Sequence, residues 1–324
     1  RDLIKVASVI GRSFFDRILK GVADSIESID ERLAYLKNAQ FIRDRMRMEE
    51  LEYIFNHALA QEAAYESTLI QQRKALHRNV AQSIEKVFRE RLHEFYGMLA
   101  FHYSKADDAD KSEEYMMKAG DAALRYSASS EALRDFQEAL RHYSAKYGDD
   151  AEPERLANFE KNIALAFFNR SQWSKAVDYF ERVLERWGMP LPKKGRVGMI
   201  RLVWDLLIML KMIYLKLPNS KKTPSNHDIE VFELYLKETQ ALPFIDHTRQ
   251  FQVVMTLMRQ TTKFDISKIP RLSIYWAIIP SIFSLSGLSF SLCNRLFNNS
   301  KRYMVEEDTR IRMNDVCMCH VTVS

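Results

Sequence analysis

Three stretches of this 324-residue chain carry a small residue, a large one and a further core-type residue at steps of four. They are Ser112/Met116/Gly120, Ala132/Phe136/Leu140 and Ala176/Phe180/Leu184. Residues four apart share a face of an α-helix, so each stretch predicts a helix with one narrow contact stripe. A small residue lets a neighbouring helix approach, and the large side chain beside it fills the groove. "SSEALRDFQEALRHY" and "QWSKAVDYFERVLERW" superpose with Ala132 on Ala176. Such a unit buries its stripe by stacking on others of its kind.

That is the packing logic of tetratricopeptide hairpins. The spacing between equivalent positions is uneven, where a regular array would repeat every ~34 residues. The repeat is therefore degenerate, and the loop "YGDDAEPER" (Tyr147–Arg155) accounts for part of the irregularity. The 9 glycines in 324 residues argue the same way, since glycine usually makes up about 7% of a chain. Glycine-rich phosphate loops and tight hairpins are mostly excluded, and helices with short connections are favoured.

Ahead of the repeats, helices are predicted at Asp2–Ile10 (closed by Gly11), Phe14–Ala23 and Ser28–Asn38. The period then changes to two in "FIRDRMRMEELEYIF", with Arg43, Arg45 and Arg47 on one side. This reads as a β-hairpin turning near Glu49–Glu50. Three helices followed by a hairpin outline a winged helix. A long helix is predicted from Ala58 to Phe88, with Leu69, Leu76, Val80, Ile84 and Val87 as its apolar stripe. After the break "MPLPKK", helices are predicted at Val197–Leu217, Asp228–Ala241 and Arg249–Thr261, with two more over 274–297. The expected class is all-α, with a winged-helix-like module and a small β-hairpin (1–88) followed by a tetratricopeptide-like α-solenoid (89–188). A further helical array (189–305) and an unstructured tail (306–324) complete it.

The net charge of +5 is unevenly spread. Between Lys193 and Lys222 stand eight basic residues and one acid, Asp205. That argues against a global nucleic-acid footprint and for a local basic segment. Cys293, Cys317 and Cys319 are too few and too clustered for a disulfide framework, which suits a reducing cytosol. The opening "RDLIKVASVIG" has neither an initiator Met nor a signal-peptide pattern, and reads as an excerpt from a longer polypeptide.

Two stretches carry a family resemblance. "YIFNHALAQEAAYESTLIQQRKALHRNVAQSIE" (Tyr53–Glu85) and "ERLHEFYGMLAFHYSKADDADKSEEYMMKAGDAAL" (Glu90–Leu124) resemble the region downstream of the ATPase in multidomain bacterial class III adenylate/guanylate cyclases. "YFERVLERWGMPLP" and "TTKFDISKI" (Thr261–Ile269) are similar to that family's C-terminal helical region. The resemblance implies a cyclase domain and a STAND-type AAA ATPase, with bound ATP or ADP and Mg, upstream of this segment. No G-x4-G-K-[ST] occurs in the chain, and no cyclase metal-binding segment is recognisable. The segment itself is expected to hold no cofactor and catalyse nothing.

In STAND ATPases, a histidine at the end of the wing reaches the β-phosphate of bound ADP. The resemblance puts His57 in that role, with Ala58 where relatives often carry Asp. A helix N-terminus offers free N–H groups and partial positive charge, so an imidazole there can add a donor to a phosphate. The plainer alternative is that His57 caps the helix or bonds a neighbouring carbonyl. Arg43, Arg45 and Arg47 could meet a phosphate or the acidic surface of an adjoining domain.

Other features carry less. The third helix region, Ser25–Asn38, has three acids against two bases and would repel DNA. Val197–Leu217 is apolar with a basic flank. It reads first as a buried array helix in which Arg201 and Asp205 pair, and second as a helix lying on a membrane surface through 193–222. Leu272–Asn294 has 23 residues without a charge, but Pro280, Gly287 and six serines suggest two packed helices. "CMCH" (Cys317, Cys319, His320) lacks paired zinc-site spacing. His77, His93, His102 and His142 are expected to be surface or satisfied core residues. The expected role is regulatory: a protein, peptide or small effector on the helical array signals to upstream ATPase and cyclase domains. The competing readings are an assembly scaffold without nucleotide linkage and a winged-helix transcriptional regulator.

Overall fold

The computed structural model describes residues 2–189, 191, 196–215, 222–261, 263–265 and 269. Over those residues the protein is all-α apart from one small sheet. It divides into a compact unit ending at Glu152 and another beginning at Pro153, a division that falls inside the repeat run. The predicted helices of 274–297, the uncharged stretch 272–294, the Cys317/Cys319/His320 cluster and the tail 306–324 lie outside the described residues.

The first unit opens with helix α1 (Asp2–Ile10). Gly11 ends it at φ +144°, a backbone angle that side-chain-bearing residues rarely adopt. Strand β1 (Ser13–Phe15), α2 (Asp16–Val22), α3 (Ile29–Asn38), β2 (Ile42–Arg47) and β3 (Glu50–Phe55) follow. The antiparallel sheet has the order β1-β3-β2, with Phe14 opposite Tyr53 and Arg45 opposite Glu52. The predicted second helix therefore starts at Asp16, because Ser13–Phe15 pairs with β3 and buries Phe14 and Phe15. The hairpin turns at Met48–Glu49, both at positive φ, one residue earlier than predicted. Three helices around this sheet complete the winged-helix-like module, its core built on Leu3, Ile10, Phe14, Ile18, Leu33, Ile42 and Phe55.

The predicted long helix is two, α4 (Ala58–Glu66) and α5 (Ile70–Val87). The hydroxyls of Ser67 and Thr68 both donate to the Ala64 carbonyl, and Leu69 is extended at ψ 145°. Side chains that compete for a helix's own carbonyls end it there. Leu69, predicted on the buried stripe, is 70% exposed; the buried stripe is His77, Val80, Ala81 and Ile84. Gly21 of α2 lets α5 come close, since a Cβ there would stand 2.5 Å from Ser83 Oγ.

Helices α6 (Tyr96–Lys105), α7 (Ala109–Arg125) and α8 (Ser129–Tyr147) complete this unit. Ser112 Oγ donates to the Ala100 carbonyl of α6 at 3.1 Å, and a Cβ on Gly120 would meet the Phe136 ring of α8 at 2.5 Å. The small residues of the repeat thus admit the neighbouring helix at both contacts of α7. The second unit contains α9 (Pro153–Asn169), α10 (Trp173–Arg186), α11 (Arg196–Leu215), α12 (Asn226–Ala241) and α13 (His247–Thr261). Ala176, Phe180 and Leu184 of α10 are all fully buried.

The turns explain why the degenerate repeats still superpose. Asp107, Ser127 and Ser171 each sit at φ between 55° and 63°. The amide after each one donates back to the preceding helix: Asp108 to Tyr103 O, Ala128 to Ala123 O and Gln172 to Phe167 O. The same C-terminal motif at each of these turns fixes how the chain leaves one helix for the next, and it recurs at Gln40 and Gly188.

Candidate functional site

The residues singled out from the sequence lie along the wing and at its exit. Arg43, Arg45 and Arg47 alternate along β2, and their partners across the ladder are Ile54, Glu52 and Glu50. Glu52 is 1% exposed and is bonded by Arg45 Nε and by Arg47 (3.1 Å). Burial works against its charge, but bonds from Arg45, Arg47 and Ser13 outweigh it and hold the carboxyl below its ordinary range. Two of the three arginines are therefore committed within the sheet. The side chain of Arg43 makes no hydrogen bond or ion pair with another described residue, and it stands nearest the end where β3 leads to His57.

His57 is the exposed residue that opens α4, extended at φ −119° and ψ 120°. Its carbonyl accepts from Ala60 N (3.1 Å), but its side chain neither caps the helix nor bonds a neighbouring carbonyl. The corner before it is fixed: Asn56 Nδ2 donates to Gln40 O at 2.6 Å and Asn56 N to Phe41 O at 2.9 Å. A rigid corner thus carries an exposed imidazole, an exposed guanidinium and the free N–H groups of a helix start.

Helix α4 buries none of its residues. Polar bonds hold it instead. Gln61 Nε2 donates to Ser8 O at 2.7 Å, and the Tyr65 hydroxyl lies 3.1 Å from His77 Nε2. His77 Nδ1 in turn lies 2.8 Å from Nδ1 of His102, and both rings are buried. Burial lowers His77 to about 4, helped by the charges of Lys105 and Arg73. Burial and His77 lower His102 to about 3. Both are neutral at pH 7, so one Nδ1–H donates to the other Nδ1. The Tyr65 hydroxyl donating to His77 and the Nε2–H of His102 turned to the Ile10 carbonyl is the tautomer set that suits every atom, although the last contact misses standard hydrogen-bond geometry. Sequence reasoning placed these two histidines as surface or satisfied core residues and did not see that they touch.

In the second unit, Asp205 of α11 is 1% exposed. It pairs with Arg259 of α13 at 2.6 Å and accepts from Thr256 Oγ1 at 3.3 Å. The predicted pairing with Arg201 is thus replaced by one across helices, because position 205 faces α13. Glu238 of α12 is fully buried with neither oxygen bonded. Burial first, then the nearby Glu181, raises it well above the carboxylate range. Among the described residues no group of three or more His, Cys, Asp or Glu stands close enough to hold a metal, and no helix is long and apolar enough to cross a membrane.

No protein-family model and no curated protein matches the chain. Among solved structures, the chain is similar to the crystal structure of BtubC (BKLC) from P. vanneervenii, at 16% identity and a TM-score of 0.43 over 92% of each chain. A likeness of that size carries no argument about function.

Proposed function

We propose that this chain is the regulatory and interaction segment of a multidomain signalling ATPase-cyclase, passing effector binding on its helical repeats to a nucleotide-binding domain upstream. The observation that carries the reading is the exposed imidazole of His57 and the exposed guanidinium of Arg43, neither bonded to another described residue, at a corner fixed by Asn56 beside a helix N-terminus. Such a corner suits an anionic group brought by another domain. The attachment of α4 supports it further. A helix held by polar bonds and the exposed Arg73–Glu66 ion pair, with no buried apolar side chain, can shift at small cost. Tyr65 would carry that shift to the His77–His102 pair and so to α5 and α6. Exposed Leu59 on α4 and Leu69 and Ile70 just beyond it offer apolar surface to an adjoining domain.

On this reading the chain catalyses nothing by itself, and ATP or ADP belongs to the upstream domain. A DNA-reading role is disfavoured because the stretch 25–38 carries more acids than bases and two of the nearby cations are engaged: Lys37 pairs with Asp44 at 2.7 Å and Lys20 with Asp30 at 2.8 Å. Titration calorimetry of this chain with ATP and with ADP tests the division of labour. No measurable binding is expected, and micromolar binding of either nucleotide would overturn it.

A further inference from the structure

Helix α11 shows an apolar stripe that nothing described covers. Met199, Ile200, Val203, Trp204 and Leu207 fall at helical spacing on one face, and each is more than half exposed. Together they amount to several hundred Å², the size at which an exposed apolar patch marks an interaction site. With Arg201, Asp205 and Arg259 they line a shallow groove of about 580 Å³. Asp205 ties α11 to Arg259 and Thr256 of α13.

Charge selects the occupant. The stretch 193–222 holds eight basic residues and one acid. That acid, Asp205, lines the groove but is 1% exposed and paired with Arg259, which offsets its charge. The formal charge of the stretch is therefore positive, and among its described basic residues Lys211 and Lys222 are exposed. Lys211, one turn beyond Leu207 on the same line, is exposed, and Arg196 stands one turn before Ile200 in the sequence. An apolar stripe bearing a tryptophan, with the exposed cation Lys211 at one end, matches the boundary between acyl chains and anionic headgroups. Since no described helix can cross a bilayer, this one would lie in its surface.

We propose that α11 docks this protein on an anionic lipid bilayer, with Trp204 and Leu207 entering the acyl boundary and Lys211 meeting headgroup phosphate. A second copy of the chain would bury the same stripe but would bring like charge against like charge.

The test is flotation of the whole chain with vesicles of phosphatidylcholine alone and of phosphatidylcholine mixed with phosphatidylglycerol. The expected result is binding to the mixed vesicles only, weakening as salt rises. The double variant Trp204→Glu/Leu207→Glu should bind at least tenfold less, while Tyr126→Glu, on an exposed aromatic of the other unit, should bind as the parent does. Quenching of Trp204 fluorescence by bromine-labelled acyl chains in the unaltered protein, lost in Trp204→Phe, checks the geometry without relying on the charged variant's folding. The proposal is overturned by absence of binding to mixed vesicles or by undiminished binding of the double variant. It is equally overturned by self-association of the parent chain that the double variant abolishes, which would mean that a second copy occupies the stripe.

Discussion

The two units bury their ionisable side chains differently. In the first, Glu52 lies between Arg45 and Arg47, and the buried histidines form a bonded line from Tyr65 through His77 to His102. In the second, Arg186 bonds Glu160 and Arg259 pairs with Asp205, but neither oxygen of Glu238 has a bond and burial raises its carboxyl well above the carboxylate range. In the same unit no described residue covers the stripe of α11. A bonded interior fixes one arrangement, because every displacement strands a polar group. An interior with an unpartnered carboxyl and an uncovered helix is less committed. The first unit is built to hold a geometry, and the second has surface and buried polarity to spare for a partner.

The most damaging single change should fall in the closely fitted unit. Gly120→Ala puts a methyl group into the Phe136 ring, which is fully buried and cannot swing away. A loss of about 2–3 kcal/mol in urea unfolding is expected from overpacking, with partial recovery when Phe136→Leu is added. A loss below ~0.5 kcal/mol would mean the helices can part at little cost, and the contrast between units would weaken. In the looser unit a substitution should help. Glu238→Gln removes the need to take up a proton on folding, and a gain of about 1–2 kcal/mol is expected at pH 7.

Acidity should separate the units further. The folded-state values of His77 and His102 lie below 6.5, so the unfolded chain binds more protons between pH 6.5 and about 4. Stability of the first unit is therefore complete above pH 6.5 and falls as pH drops through that window, by up to ~1.4 kcal/mol per unit for each ring. Glu238 acts in the opposite sense. Its folded value is raised, so its contribution is greatest below pH 4.5 and is lost as pH rises. Ring resonances of the histidines should show two that do not titrate between pH 8 and 5; ordinary titration of all of them would remove the bonded pair.

What the sequence made legible follows from how local each cause is. Asp2–Ile10 could be read because its period and its closing Gly11 lie within eleven residues. Ser13–Phe15 could not, since a strand of three residues shows no period and becomes one only by pairing with β3. The break between α4 and α5 was signalled by Ser67-Thr68, whose hydroxyls bind a carbonyl of their own helix, but the apolar stripe on either side masked it. His57 and the arginine row were visible as a pattern. That Glu52 takes up Arg45 and Arg47 and leaves Arg43 free depends on the hairpin register, which moved by one residue from the expected turn. The His77–His102 contact joins residues 25 apart on different helices, and no spacing rule announces it.

The central claim is that the corner at His57 and Arg43 engages a nucleotide held by an upstream domain of the same polypeptide. The direct measurement is the rate of ADP release from that intact polypeptide, for the parent and for His57→Ala. Release should quicken in the variant, with basal activity rising alongside it. An unchanged release rate would contradict the claim and leave the chain an assembly scaffold with no link to nucleotide.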